Sequence, residues 1–217
     1  QKYLENSRAI FYLADIRDAA SLEKVMKNVD IVFHAAALKH VVLCERSPME
    51  AVQTNISGVN NIISAALENS VKKVVFTSSD KAVNPTNVMG TSKLMGERLI
   101  SAANSNGGND TPSFISTRFG NVLGSNGSVI PIFHKQIKKG GPVTLTDAKM
   151  TRFVMSIEQA ARMVIESANI GKGGEVFITK MPVIRIMDLA QVMIQELAPL
   201  YGHKPQDIEI KSIGIKP

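Results

Sequence analysis

Two ionisable side chains of opposite sign stand next to each other at Asp80 and Lys81, directly after Ser79, and a second lysine, Lys93, follows twelve residues on. A carboxyl and an amine held at one place can give a proton to a bound ligand and take one from it, if both reach the same atoms. Taken alone, the pair is equally a solvated ion pair at a turn, and Lys93 is equally an exposed helix lysine. No His/Cys/Asp cluster has metal-ligand spacing, and His34, His134 and His203 stand apart, so no metal is expected.

The elements around these residues give them a place. Val74-Val75-Phe76 is a β-branched and aromatic run that ends in small hydroxyls, the pattern of a buried strand over 74–79. In open α/β sheets ligands bind at the carboxyl ends of strands, which is where Ser79, Asp80 and Lys81 fall. Asn84-Pro85 forces a turn. A helix over 89–102 then puts Met89 and Lys93 on one face, four residues apart.

The rest of the first half repeats the alternation. Residues 10–14 read as a short strand, and Asp18 as the cap of a helix over 19–27. A second buried strand covers 30–35, continued by Ala36 and Ala37, whose small side chains let a flat ligand approach the backbone. A long helix spans 48–68, with Val52, Ile56, Val59, Ile63 and Ala66 near one face, and a fourth strand covers 114–119. Crossovers of this length imply a parallel, doubly wound α/β sheet. Past Phe119 come a polar, glycine-rich loop over 120–128, a helix over 130–138 and a turn at Gly140-Gly141-Pro142. A helix capped by Ser156 follows, with Ile157, Ala160, Ala161, Val164 and Ile165 inward. A strand over 176–179, a helix over 185–197 and an extended piece from Ile208 complete the pattern. The expected organisation is a Rossmann-like domain over 1–120 and a smaller lobe over 121–217, interleaved with the sheet.

Composition narrows the class. With 217 residues, 44% hydrophobic and 20% charged, the chain has the make-up of an ordinary globular protein with one good core. Its single cysteine, Cys44, excludes an internal disulfide framework and suits a cytoplasmic protein. No run approaches a membrane span, and no signal peptide is expected at Gln1. The net charge of +6 is scattered, aromatics make up 5% and tryptophan is absent, which argues against nucleic acid.

The stretch SSDKAVNPTNVMGTSK, with TNISG, RFGNV and MTR, resembles the extended short-chain dehydrogenase/reductases, in the branch of UDP-N-acetylglucosamine 4,6-dehydratases of polysaccharide biosynthesis. The resemblance implies NAD or NADP as cofactor, a UDP-sugar as substrate and a homo-oligomer at full length, assembled through helices flanking the sheet. It makes Ser79 the strand-end hydroxyl, Asp80 the acid, Lys81 the base and Lys93 the cofactor-holding lysine. The usual tyrosine is replaced by Met89, which cannot move a proton. By the same resemblance Asp15 and Ile16 meet the adenine, Ala35, Ala36 and Ala37 form the wall beneath the cofactor, and Asn55 steadies the active site. Lys39, Asn121 and Arg152 face the substrate; an arginine can grip a diphosphate with two parallel bonds. Each also has a plain structural reading: Asp15 as a helix-preceding cap, the alanines as strand packing, Asn55 as a helix-surface residue, His40 as an ordinary loop residue.

A dinucleotide fold opens with a strand and a glycine-rich turn. The glycine-dense stretches here, Gly107-Gly108, Gly124 to Gly127, Gly140-Gly141 and Gly171 to Gly174, do not sit in that position. The expectation is an internal fragment whose first βαβ unit lies before Gln1, and whose relatives continue past Ile215-Lys216-Pro217. Three functions compete: a 4,6-dehydratase, a UDP-sugar 4-epimerase, for which the tyrosine is central, and a non-catalytic sugar-nucleotide- or protein-binding module.

Overall fold

A computed structural model describes residues 6–105, 111–125 and 128–214. Gly107, Gly108, Gly127 and the closing Ile215-Lys216-Pro217 lie outside the described residues. By contact density the chain divides into two compact units. The first is Gln1–Arg118 with Val164–Phe177, the second Phe119–Met163 with Ile178–Pro217.

The first half runs α1 (Ala19–Val25), β1 (Ile31–His34), α2 (Val41–Arg46), α3 (Pro48–Val52), α4 (Gly58–Glu68), β2 (Lys73–Ser79), α5 (Val88–Ser105) and β3 (Ser113–Phe119). Asp18 caps α1 by accepting from Ser21 N–H. The second half runs β4 (Asn121–Val122), α6 (Val129–Lys138), β5 (Val143–Leu145), β6 (Thr151–Met155), α7 (Ile157–Ile170), β7 (Val176–Ile178), β8 (Val183–Arg185), α8 (Ile186–Leu197) and β9 (Ile210–Ser212).

The doubly wound α/β expectation holds. A four-stranded sheet has the order β1-β2-β3-β7, with β1 and β2 parallel and His34 opposite Phe76. Its core joins Leu22, Val59, Ile62, Ile63, Val74, Phe76, Ile100 and Phe114. Each side chain of this size stabilises the fold by about 1.5–3 kcal/mol on burial. Gly96 on α5 leaves the room that the Phe76 ring fills: a methyl there would sit 2.8 Å from the ring edge. The second unit packs α6 and α8 around Phe133, Ile137, Leu145, Ala190 and Ile194, beside the sheets β4-β6-β8 and β5-β9.

Four expectations need correction. Residues 10–14 form no strand, and Ile10, Phe11, Tyr12 and Leu13 are exposed. Their β-propensity is real, but a strand exists only beside a partner, and none pairs with them among the described residues. Strand β1 is buried on one face only, with Ile31 and Phe33 exposed. The long helix over 48–68 is three pieces, because a wider π turn at Gln53–Ser57 interrupts it. On α7, Ile157, Ala161 and Ile165 are exposed, and the inward face is carried by Ala160, Met163, Ser167 and Ala168. The strands β4, β5, β6 and β8 and the short helix α2 had no counterpart in the sequence pattern, being too short for a period to register.

Candidate functional site

Strand β2 ends as its apolar run does, and the chain turns at once into a single 3-10 turn over Asp80–Ala82. Ser79 caps that turn. Its Oγ accepts from Lys81 N–H at 3.2 Å and donates to Asp80 Oδ1 at 3.0 Å. The Lys81 ammonium reaches the same oxygen at 3.0 Å. The two side chains are one contact pair, both partly buried.

The following helix is fixed at its start by two caps. Asn87 Oδ1 accepts from Gly90 N–H at 2.8 Å, and Glu45 of α2 accepts from Val88 N–H at 2.6 Å. Asn84 precedes Pro85 with φ at 45°, a left-handed conformation that asparagine tolerates better than most residues. Gly90 lies so close to the 3-10 turn that a methyl would run into the Lys81 carbonyl.

From this helix Lys93 reaches back over the sheet. Only 6% exposed, it donates from Nζ to the Thr77 carbonyl at 2.9 Å and lies 4.8 Å from the centre of the Phe76 ring. Burial pulls it down from an ordinary 10.5 to about 8, with Glu97 acting in the opposite sense. Met89 points into a buried cluster with Cys44 and Ala51.

Asn55 is no surface residue. The π turn aims it at the loop after β1, where its Oδ1 accepts from Leu38 N–H at 2.8 Å. Its Nδ2 donates to Leu38 O and to Ser92 Oγ, both at 2.9 Å. It thereby ties the residues beyond β1 to α5. In that loop Ala35 and Ala36 are exposed and Ala37 half-buried, while Lys39 and His40 are exposed. Asp15 forms a surface ion pair with Arg17 at 2.6 Å, which holds its carboxyl near 2, and Arg17 also meets Glu50. Ile16 packs on the core and its carbonyl accepts from Asn61 Nδ2.

In the second unit Asn121 and Arg152 line one cavity of about 380 Å³, together with Ser128, Thr144, Thr146 and a largely apolar wall that includes Phe133, Met150 and Ile186. Gln136 orders one edge, donating to Thr144 Oγ1 at 2.7 Å and accepting from Thr144 N–H. Ser128 Oγ is buried here without a hydrogen-bond partner among the described residues, a costly state that a ligand acceptor or donor relieves. Arg152 reaches the Thr151 carbonyl. Among the described residues no group of three His, Cys, Asp or Glu could hold a metal ion, and no helix is long and apolar enough to cross a membrane.

Sequence reasoning passed over three residues that shape this region. Arg118 clamps Glu97 with bonds of 2.8 and 2.7 Å, both side chains largely buried. His34 lies against the Phe76 ring, its Nε2 without a partner, and burial holds it down near 4. A signal for Glu97 was present: it follows Lys93 by four residues on one helix face.

A family model described as polysaccharide biosynthesis protein matches residues 1–217. The chain is 45% identical over 195 residues to a UDP-N-acetylglucosamine 4,6-dehydratase (inverting) of Campylobacter jejuni, covering 89% of this chain and 57% of that protein. It is 46% identical over 214 residues to a UDP-glucose 4-epimerase of Rickettsia canadensis, covering 98% and 60%. The X-ray structure of Pen from Bacillus thuringiensis matches with a TM-score of 0.93 at 51% identity, covering 100% of this chain and 66% of that one. The chain thus spans only part of the length of each.

Proposed function

Because the chain belongs to the polysaccharide biosynthesis protein family, we propose that it serves a nucleotide-sugar-modifying enzyme that dehydrates a UDP-N-acetylhexosamine, UDP-N-acetylglucosamine first, to a 4-keto-6-deoxy sugar. The observation that carries this reading is the Asp80–Lys81 contact, with Ser79 Oγ on the same carboxylate oxygen. Loss of water from a hexose needs a base for the C5 proton and an acid for the departing C6 hydroxyl, side by side. Moving one proton along the 3.0 Å contact from Lys81 Nζ to Asp80 Oδ1 gives a neutral amine and a neutral acid, the two forms required.

The residues also suit a nicotinamide dinucleotide, NAD or NADP. Two of the three Lys93 N–H donors make no hydrogen bond among the described residues and can meet a ribose diol. The small, exposed Ala35 and Ala36 leave the backbone beyond β1 open to a flat ring. The bound dinucleotide supplies the hydride acceptor at C4 and the donor at C6. Asn55 would hold the Leu38 loop in place, and Arg152 and Asn121 would bind the diphosphate in the second unit's cavity.

The Rickettsia relative favours a second reading, a 4-epimerase. Epimerisation needs only oxidation and reduction at C4, for which the Asp80–Lys81 pair has no task, and Met89 can take no hydroxyl proton. Incubation of the full-length protein with UDP-N-acetylglucosamine and NAD decides between them by product. The dehydratase reading expects a 4-keto-6-deoxy product that is one water lighter, and its loss in both Asp80→Asn and Lys81→Met. A product of unchanged mass with the C4 hydroxyl inverted, surviving in both variants, overturns it.

A further inference from the structure

On the face of the sheet beneath α5 the charged groups form a short row. Lys93 and Glu97 are one helical turn apart, both buried, and Arg118 of β3 grips Glu97 with two parallel bonds of 2.8 and 2.7 Å. Among the described residues, β1 brings His34 to the row, and β2 brings the Phe76 ring and the Thr77 carbonyl. Asn55 of the π turn, bonded to Ser92, adds no charge. A buried ammonium is stabilised by a nearby carboxylate and destabilised by a nearby guanidinium. Of the pair, Glu97 acts on Lys93 to keep it charged, and Arg118 is bonded to that same carboxylate.

We propose that Glu97 and Arg118 are positioning residues for Lys93: Glu97 keeps the buried ammonium charged in its place over Phe76, and Arg118 limits how strongly it does so. Glu97 favours protonated Lys93 against the cost of burial, and burial first and the Lys93 charge second hold His34 uncharged, so no second cation crowds the ammonium. The inference deepens the reading of Lys93 as the residue that holds the dinucleotide, and rests on it for its consequence.

The test reads Lys93 directly. In protein labelled with 13C at lysine Cε, the resonance missing from Lys93→Arg identifies Lys93, and its shift against pH gives its titration. Glu97→Gln is expected to lower that midpoint by about one pH unit or more, and Arg118→Gln to raise it. The pH profile of NAD binding should move with it, towards acid in Glu97→Gln and towards alkali in Arg118→Gln, and Glu97→Asp should restore part of the effect. Midpoints that stay put, or that move in the same direction in both variants, overturn the proposal, since a merely structural ion pair gives one sign for either loss. If Glu97→Gln does not fold, Arg118→Gln alone decides: an unchanged or lowered midpoint refutes it. Should the midpoints move as expected while the protein binds no dinucleotide, the positioning pair stands and the cofactor role of Lys93 falls.

Discussion

At the scale of single residues, Lys93 shows how a buried charge weakens the fold that carries it. Its folded value, about 8, lies below the ordinary 10.5. The unfolded chain therefore binds more protons between those values, and stability rises with pH across that window. Below pH 8 the folded state bears the full cost of the buried ammonium, on the order of 3 kcal/mol. Lys93→Met removes that cost but leaves the Thr77 carbonyl without its donor, so urea unfolding at pH 7 should show a gain of about 1–2 kcal/mol. The variant should also lose the rise between pH 8 and 10.5, and with it dinucleotide binding. A variant that is less stable at pH 7, or that keeps the slope, contradicts this account. His34 acts at the acid end. Its value falls from 6.5 to about 4 through burial first and Lys93 second. Its contribution is complete above pH 6.5 and is lost as pH falls towards 4, and His34→Gln should flatten the acid limb of the stability curve.

At the scale of elements, the contact between α5 and the 3-10 turn after β2 keeps Lys93 and the Asp80–Lys81 pair in register. Gly90 makes that contact possible, since a methyl there would strike the Lys81 carbonyl, a backbone atom that cannot swing aside. Gly90→Ala should cost about 1–3 kcal/mol in urea unfolding, and turnover should fall further than the lost stability explains. An alanine variant of normal stability and turnover would show that the two elements part freely. Strand β2, helix α5 and Ser79-Asp80-Lys81 were legible in the sequence because a long apolar run and a helical period announce themselves. The resemblance marked Asn55 as the residue that steadies the site, but its inward aim was not legible in the helical period, because the π turn that points it inward leaves no mark there. Segment 10–14 misled for the complementary reason: residue types report a preference for extended backbone and say nothing of a pairing partner. The Glu97–Arg118 clamp joins residues 21 positions apart, and only the packing of α5 on β3 brings them together.

At the scale of the whole molecule, charge is divided unevenly. The positive excess of the chain falls mainly in the second unit, the one whose cavity holds Asn121 and Arg152. A cavity of about 380 Å³ with an apolar wall and a few polar groups suits part of a nucleotide better than a bare ion. A surrounding excess of cations draws in a diphosphate over distances that salt screens out. UDP affinity should therefore fall as ionic strength rises from about 0.05 to 0.5 M, a range over which the screening length drops several-fold. Arg152→Ala should weaken UDP roughly 10- to 100-fold, the worth of charge-assisted bonds to phosphate, and flatten the salt dependence. It should leave the affinity for NAD within about twofold, because Lys93 and the β2 end belong to the other unit, and sites without shared partners act independently. Calorimetric titration of each ligand into each variant measures all of these. If Arg152→Ala weakens both ligands alike, the assignment of the nucleotide sugar to the second unit's cavity is wrong.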